Sequence, residues 1–179
     1  EYVLVRSSNG RRSGSIVETS GEFTLSVPNQ LSRRYRGELR IEPHGGELLA
    51  VVSMDLETAV AAVLAKEAKD EPEAEALAAQ AIVSRSFMAG GSRHDRFDFC
   101  DTTHCQWLGE YPVAASPISR AVRETRGLVL RARNRPVQAL FSPRCGGRTR
   151  TLNEIGLKPA DYPFYAVACE PCRRNPDAW

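Results

Sequence analysis

The chain has 179 residues, 42% of them hydrophobic and 26% charged, enough for one packed domain of ordinary globular composition. A net charge of +2, with basic residues dispersed along the chain, sets aside nucleic acid as a partner. No apolar run approaches the roughly 18 residues of a membrane span, and no leader sequence is visible where the chain opens on Glu1-Tyr2-Val3-Leu4-Val5.

Residues 1 to about 55 read as β structure. Apolar and polar residues alternate through Tyr2–Val5, Ser15–Val17, Phe23–Val27 and Glu38–Glu42, with turn signals at Asn9-Gly10, Ser20-Gly21, Pro28-Asn29 and His44-Gly45-Gly46. His44 in its Gly-rich turn reads as exposed, and Arg33-Arg34-Tyr35-Arg36 as a solvated turn or strand end. Leu48–Val52 is continuously apolar and predicts a buried strand.

The period then changes. Leu56, Ala59, Val60, Val63 and Leu64 recur at helical spacing up to Glu67, with Asp55 as N-cap. Pro72 opens a second helix carrying Ala74, Leu77, Ala78, Ala81, Ile82 and Arg85, which stops at Gly90-Gly91. These two helices meet at a tight elbow beside Glu67. Residues 92–118 are loop-like, and Ile118–Arg126 forms a third helix ended by Gly127. Leu128–Leu130 and Val137–Phe141 flank the turn Asn134-Arg135-Pro136 and predict a hairpin; the tail after Thr151 is irregular. The whole is expected to be a single α+β domain over 1–179: a β-rich part over 1–55, a core of motifs over 56–150, and a tail over 151–179.

Three features carry chemistry. Glu67 ends a largely apolar helix, where an acid is either solvated or buried with its neutral form favoured, as a general acid requires. Gln80 and Arg85 lie on or near the Ala-rich face of the next helix, placed either toward solvent or toward substrate and a carboxylate. His94, Cys100, His104 and Cys105 offer a Cys₂His₂ zinc set, with a Cys100–Cys105 disulfide as the equal alternative. A thiol nucleophile, Cys145 activated by His104, is a third reading. Five cysteines cannot all pair internally, and Cys169-Glu170-Pro171-Cys172 has the spacing of a metal knuckle or a redox disulfide.

With these residues in hand, the chain resembles the SpoIID/LytB family, named for the stage II sporulation protein D of endospore formers. The resemblance runs through Val63-Leu64-Ala65-Lys66-Glu67, then through Glu75-Ala76-Leu77-Ala78-Ala79-Gln80-Ala81-Ile82-Val83-Ser84-Arg85. It continues through Cys100-Asp101-Thr102-Thr103-His104-Cys105-Gln106, Glu124–Leu130 and Arg144-Cys145-Gly146-Gly147-Arg148-Thr149.

The resemblance implies a bacterial lytic transglycosylase acting outside the cytoplasm on peptidoglycan glycan strands, particularly those stripped of stem peptides. It implies Glu67 as the catalytic acid, with Gln80, Arg85, Gln106, Gly146 and Gly147 expected as substrate contacts; Arg144, where the chain departs from the family, is expected to contact a different glycan or its lactyl carboxylate. It favours structural zinc on His94, Cys100, His104 and Cys105, with no cofactor needed for the chemistry. A cell-wall amidase is the implied partner. The chain departs from the family pattern twice: Ala68-Lys69-Asp70-Glu71-Pro72 replaces the usual elbow, and Ser142-Pro143-Arg144 replaces His-Ser-Ser before Cys-Gly-Gly. The altered elbow keeps a second function open, that of a non-catalytic glycan-binding module that enhances or localises an amidase.

Overall fold

The computed structural model describes residues 3–7, 10–14, 16–68, 73–132, 134–142, 145–156 and 166–174, the first two stretches as backbone alone. Its N-terminal half is antiparallel β structure. Strands β1 (Val3–Ser7) and β2 (Gly10–Gly14) pair as a hairpin. Strands β3 (Val17–Val27), β4 (Leu31–His44) and β5 (Glu47–Ser53) form a three-stranded sheet in that order, with β4 at its centre. Leu39 and Ile41 of β4 are its buried centre, packed by Val17, Phe23, Leu25 and Val52. The alternation seen in the sequence is the pleat placing every second side chain on this one apolar face.

Two expectations change here. Ser20-Gly21 does not turn the chain: β3 runs straight through, with Gly21 paired opposite Gly37. A Cβ on Gly37 would lie 2.3 Å from the Ser53 carbonyl oxygen, so glycine is what lets β4 pass so close to the end of β5. Leu48–Val52 is not a buried strand either. It is an edge strand with Leu48 55% exposed. A continuous apolar run suggests two covered faces, whereas this antiparallel sheet buries one. The turn at Gly45-Gly46 is as expected, the two residues joining the His44–Glu47 pair.

Helices follow. Helix α1 (Leu56–Glu67) starts at Asp55, whose carboxylate accepts from the Thr58 N–H at 3.0 Å and the Thr58 hydroxyl at 2.5 Å. These hydrogen bonds hold the Asp55 carboxyl below its ordinary pKa. Helix α2 (Ala74–Ala89) ends at Gly90; Pro72, expected to open it, lies outside the described residues. Helix α3 (Pro117–Glu124) starts one residue before its expected Ile118, because Ser116 caps the Ser119 N–H and Pro117 occupies the first turn. Val60, Ala61 and Leu64 of α1, Leu77 and Ala81 of α2, and Ala121 and Val122 of α3 form one buried cluster. The alanines let the three helices approach closely.

After α3 the expected hairpin is present but short. Strand β6 (Arg131–Ala132) pairs with β7 (Arg135–Pro136), and the flanking apolar runs are joined by the Val137 N–H to the Leu130 carbonyl at 2.9 Å. A 3₁₀ turn (Asn153–Ile155) and the short helix α4 (Glu170–Arg174) close the described chain. The fold is therefore α+β, with antiparallel strands first and helices after.

Candidate active site and metal centre

Glu67 is the last residue of α1 and is exposed. What surrounds it is set by the loop after α2. Gly109 of that loop is buried against α1, its N–H donating to the Ala62 carbonyl at 2.7 Å. A Cβ at position 109 would come within 2.8 Å of the Ala65 carbonyl carbon and the Lys66 nitrogen. Only glycine permits this contact, which fixes the loop to the last turn of α1. Trp107, two residues earlier, is 40% exposed, and the Lys66 ammonium lies 4.3 Å from its ring centre. An exposed indole thus stands beside the residue preceding Glu67. Nothing in the sequence reading singled out Gly109 or Trp107; an aromatic and a glycine immediately after a Cys/His motif were the available signal.

The loop is held to the sheet as well. Asp101 accepts from Arg33 of β4, and from the Tyr35 hydroxyl at 3.2 Å, while its second oxygen accepts from the Leu108 N–H at 2.8 Å. Burial, then the Asp101 carboxylate, raises the Tyr35 phenol above its ordinary pKa, so it stays a donor. Arg34 and Arg36 reach Tyr111. The Arg33–Arg36 run is therefore neither a turn nor a strand end. It lies within the first half of β4, and its side chains fasten the loop. His44 likewise has a neighbour, its Nδ1 lying 2.8 Å from Arg96.

His94, Cys100, His104 and Cys105 come together, with one ligand atom from each lying within 4.8 Å of all the others. The Cys100 and Cys105 sulfurs are 3.4 Å apart and not bonded as a disulfide. His94 Nε2 is 3.3 Å from the Cys105 sulfur, and His104 Nδ1 is 3.6 Å from Cys100 and 3.5 Å from Cys105. A tetrahedral ion with Zn–S near 2.3 Å and Zn–N near 2.05 Å demands edges of about 3.8 Å between sulfurs and about 3.6 Å between nitrogen and sulfur. The four measured edges fall within a few tenths of an ångström of those values, so the group could hold such an ion. Burial opposes ionisation of Cys100, but hydrogen bonds from Thr102, His104, Cys105 and His94 outweigh it and bring its pKa down to about 6. Burial raises Cys105. One ready thiolate and one thiol that ionises on binding suit a metal site.

The remaining predicted residues lie in different settings. Gln80 donates to the Ser84 hydroxyl at 3.1 Å. Arg85 is 0% exposed and forks onto Glu57 of α1, Nε to Oε1 at 2.9 Å and Nη2 to Oε2 at 2.7 Å. It also donates to the Ala81, Leu128 and Val122 carbonyls. Arg85 orients a carboxylate, but that of Glu57, and in doing so ties α1, α2 and the end of α3 together. Gln106 is 5% exposed, and among the described residues neither its amide nitrogen nor its oxygen has a hydrogen-bond partner. Gly146 lines a cavity of about 1180 Å³ with Cys145, and Glu67 is not part of that lining among the described residues. Gly147 is buried next to Arg173. Arg144 lies outside the described residues. Cys145 stands with Cys169 and Cys172 rather than in the group that holds His104.

Residues 44–131 match the family model of SpoIID, described as Stage II sporulation protein. That stretch of the chain is a SpoIID domain. The matched stretch contains Glu67, the four metal-ligand candidates, Gln106 and Trp107, and stops short of Cys145. The chain is also similar to an uncharacterized protein of Brachyspira hyodysenteriae (strain ATCC 49526 / WA1), 26% identical over 148 residues. That match covers 80% of this chain and 39% of the relative, so the chain spans well under half the relative's length. The SpoIID domain is that of sporulation- and cell-wall-related proteins. Among the described residues no helix is long and apolar enough to cross a membrane.

Proposed function

We propose that this SpoIID domain is a lytic transglycosylase that cleaves the bond between N-acetylmuramic acid and N-acetylglucosamine in peptidoglycan glycan strands, outside the cytoplasm. The observation that carries the reading is Glu67 on the exposed end of α1, with the Cys/His loop locked beside it through Gly109. Glu67 gives its proton to the glycosidic oxygen as the bond to C1 breaks. Charge then develops on the sugar as in other glycosidic cleavage. The same group, now a carboxylate, takes the proton from the C6 hydroxyl, which attacks C1 and leaves a 1,6-anhydro end. The nucleophile belongs to the substrate, so one protein carboxyl group serves both steps.

Trp107 supports the reading as a platform for a sugar face next to Glu67. Gln106 supports it as a buried amide whose missing partners, worth about 1–3 kcal/mol when absent, are supplied by a glycan hydroxyl or N-acetyl group. His94, Cys100, His104 and Cys105 hold zinc in this reading, with all four positions filled by protein. The ion's part is to keep the loop folded. An enzyme that removes stem peptides is the class of partner that would supply bare strands. The test is release of soluble fragments from peptide-stripped strands: native protein should release them and Glu67→Gln should bind the strands without releasing any. Equal release by the variant would end the assignment of Glu67.

A further inference from the structure

A second cluster of thiols lies outside the site just described. The sulfurs of Cys145, Cys169 and Cys172 all lie within 4.8 Å of one another. Two segments far apart in the chain are brought together to do this. The Thr149 N–H donates to the Val167 carbonyl at 3.0 Å, the Val167 N–H to the Thr149 hydroxyl at 2.9 Å, and the Cys169 N–H to the Gly147 carbonyl at 2.9 Å. Arg148 bridges Ala168 as an antiparallel pair. Behind Cys145 the chain curls through Gly146 at φ 66° and Gly147 at φ 98°. A tight turn behind one cysteine, facing a C-x-x-C pair, is the form of a metal knuckle.

Three thiolates at this spacing repel one another. A divalent cation reverses the sign of that interaction. A disulfide does not resolve it in the same way, because it joins two sulfurs and leaves the third beside a bond it can attack. Zinc bound to thiolates sets sulfurs about 3.8 Å apart, inside the 4.8 Å within which these three lie.

We infer that Cys145, Cys169 and Cys172 bind a second zinc ion, independent of the His94/Cys100/His104/Cys105 group and of the role of Glu67. Its fourth position is taken by water. The ion clasps residues 166–174 onto 145–149. In doing so it fixes one wall of the cavity of about 1180 Å³ that all three cysteines line, together with Phe141, Ile155 and Arg150.

The experiment is elemental analysis of the full chain, loaded with excess zinc and then desalted. About two ions per native chain are expected, falling to about one in Cys172→Ser and, separately, about one in Cys105→Ser. Zinc content that Cys172→Ser leaves unchanged overturns the inference. Should that variant fail to fold, the native chain still decides. Alkylation of the zinc-stripped, denatured chain without reductant should label all five cysteines, and cobalt titration should develop thiolate-to-cobalt absorption through a second equivalent. A disulfide mapped among Cys145, Cys169 and Cys172, or a Cys105→Ser chain that develops no thiolate-to-cobalt absorption, overturns it.

Discussion

Arg85 offers the sharpest test of how this helical unit is built. Its guanidinium is fully buried, whereas its partner Glu57 keeps about a fifth of its side chain exposed. Removing either partner breaks a buried ion pair, a loss of about 3–5 kcal/mol. The two losses are not equal. Arg85→Met leaves a carboxylate that water can reach and fills much of the vacated volume, so the cost falls near 3 kcal/mol. Glu57→Ala leaves a cation with only carbonyls and the Thr125 hydroxyl around it, and the cost lies toward 5 kcal/mol. For a chain of this size each kcal/mol moves Tm by about 2–4 °C, which predicts falls of about 10 °C and about 15 °C. Thermal unfolding followed by circular dichroism reads both. The glycan KM of the folded fraction should stay unchanged. An Arg85→Met variant with native Tm and a raised KM would refute the structural role and return Arg85 to the substrate.

Three further outcomes follow from the same contacts. Gly109→Ala drives a Cβ into the Ala65–Lys66 backbone and should cost about 1–3 kcal/mol in urea unfolding while lowering turnover; a variant native in both would show that the loop does not rest on α1. Trp107→Ala should raise KM for glycan strands about fivefold, the worth of roughly 1 kcal/mol of stacking, with little change in Tm; an unchanged KM removes Trp107 from the binding surface. Asp55→Ala should cost about 1 kcal/mol near neutral pH. Because the Asp55 pKa is lowered on folding, its contribution is present above the unfolded carboxyl pKa and fades as pH falls through the folded one. The stability gap between native protein and Asp55→Ala should therefore narrow in acid, and a gap constant down to that range would contradict the capping account.

What the sequence made legible was local. Asp55 as a cap, the Gly45-Gly46 turn, Glu67 at a helix end and the close-set Cys100, His104 and Cys105 all depend on neighbours within a few residues. His94 joined them because its loop is short. Contacts that depend on distant chain crossings were not legible: Glu57 beneath Arg85, Asp101 beneath Arg33 and Tyr35, and Gly109 against Ala65 carry no signal in spacing. The same blindness left open a third reading with Cys145 beside His104, when the pairing of residues 147–149 with 167–169 carries it to Cys169 and Cys172. Leu48–Val52 was misread for a related reason. Hydrophobicity reports what a strand could bury, and its place at the sheet edge decides what it does bury.

The central claim is that one carboxyl group, Glu67, works as acid and then as base on a nucleophile supplied by the glycan. Mass spectrometry of the ends formed from peptide-stripped strands tests it directly. The account predicts 1,6-anhydro-muramic ends from native protein and none from Glu67→Gln. Reducing ends would instead make water the nucleophile and require a second carboxylate, and no cleavage by a chain that still binds the strands would leave a glycan-binding module in place of an enzyme.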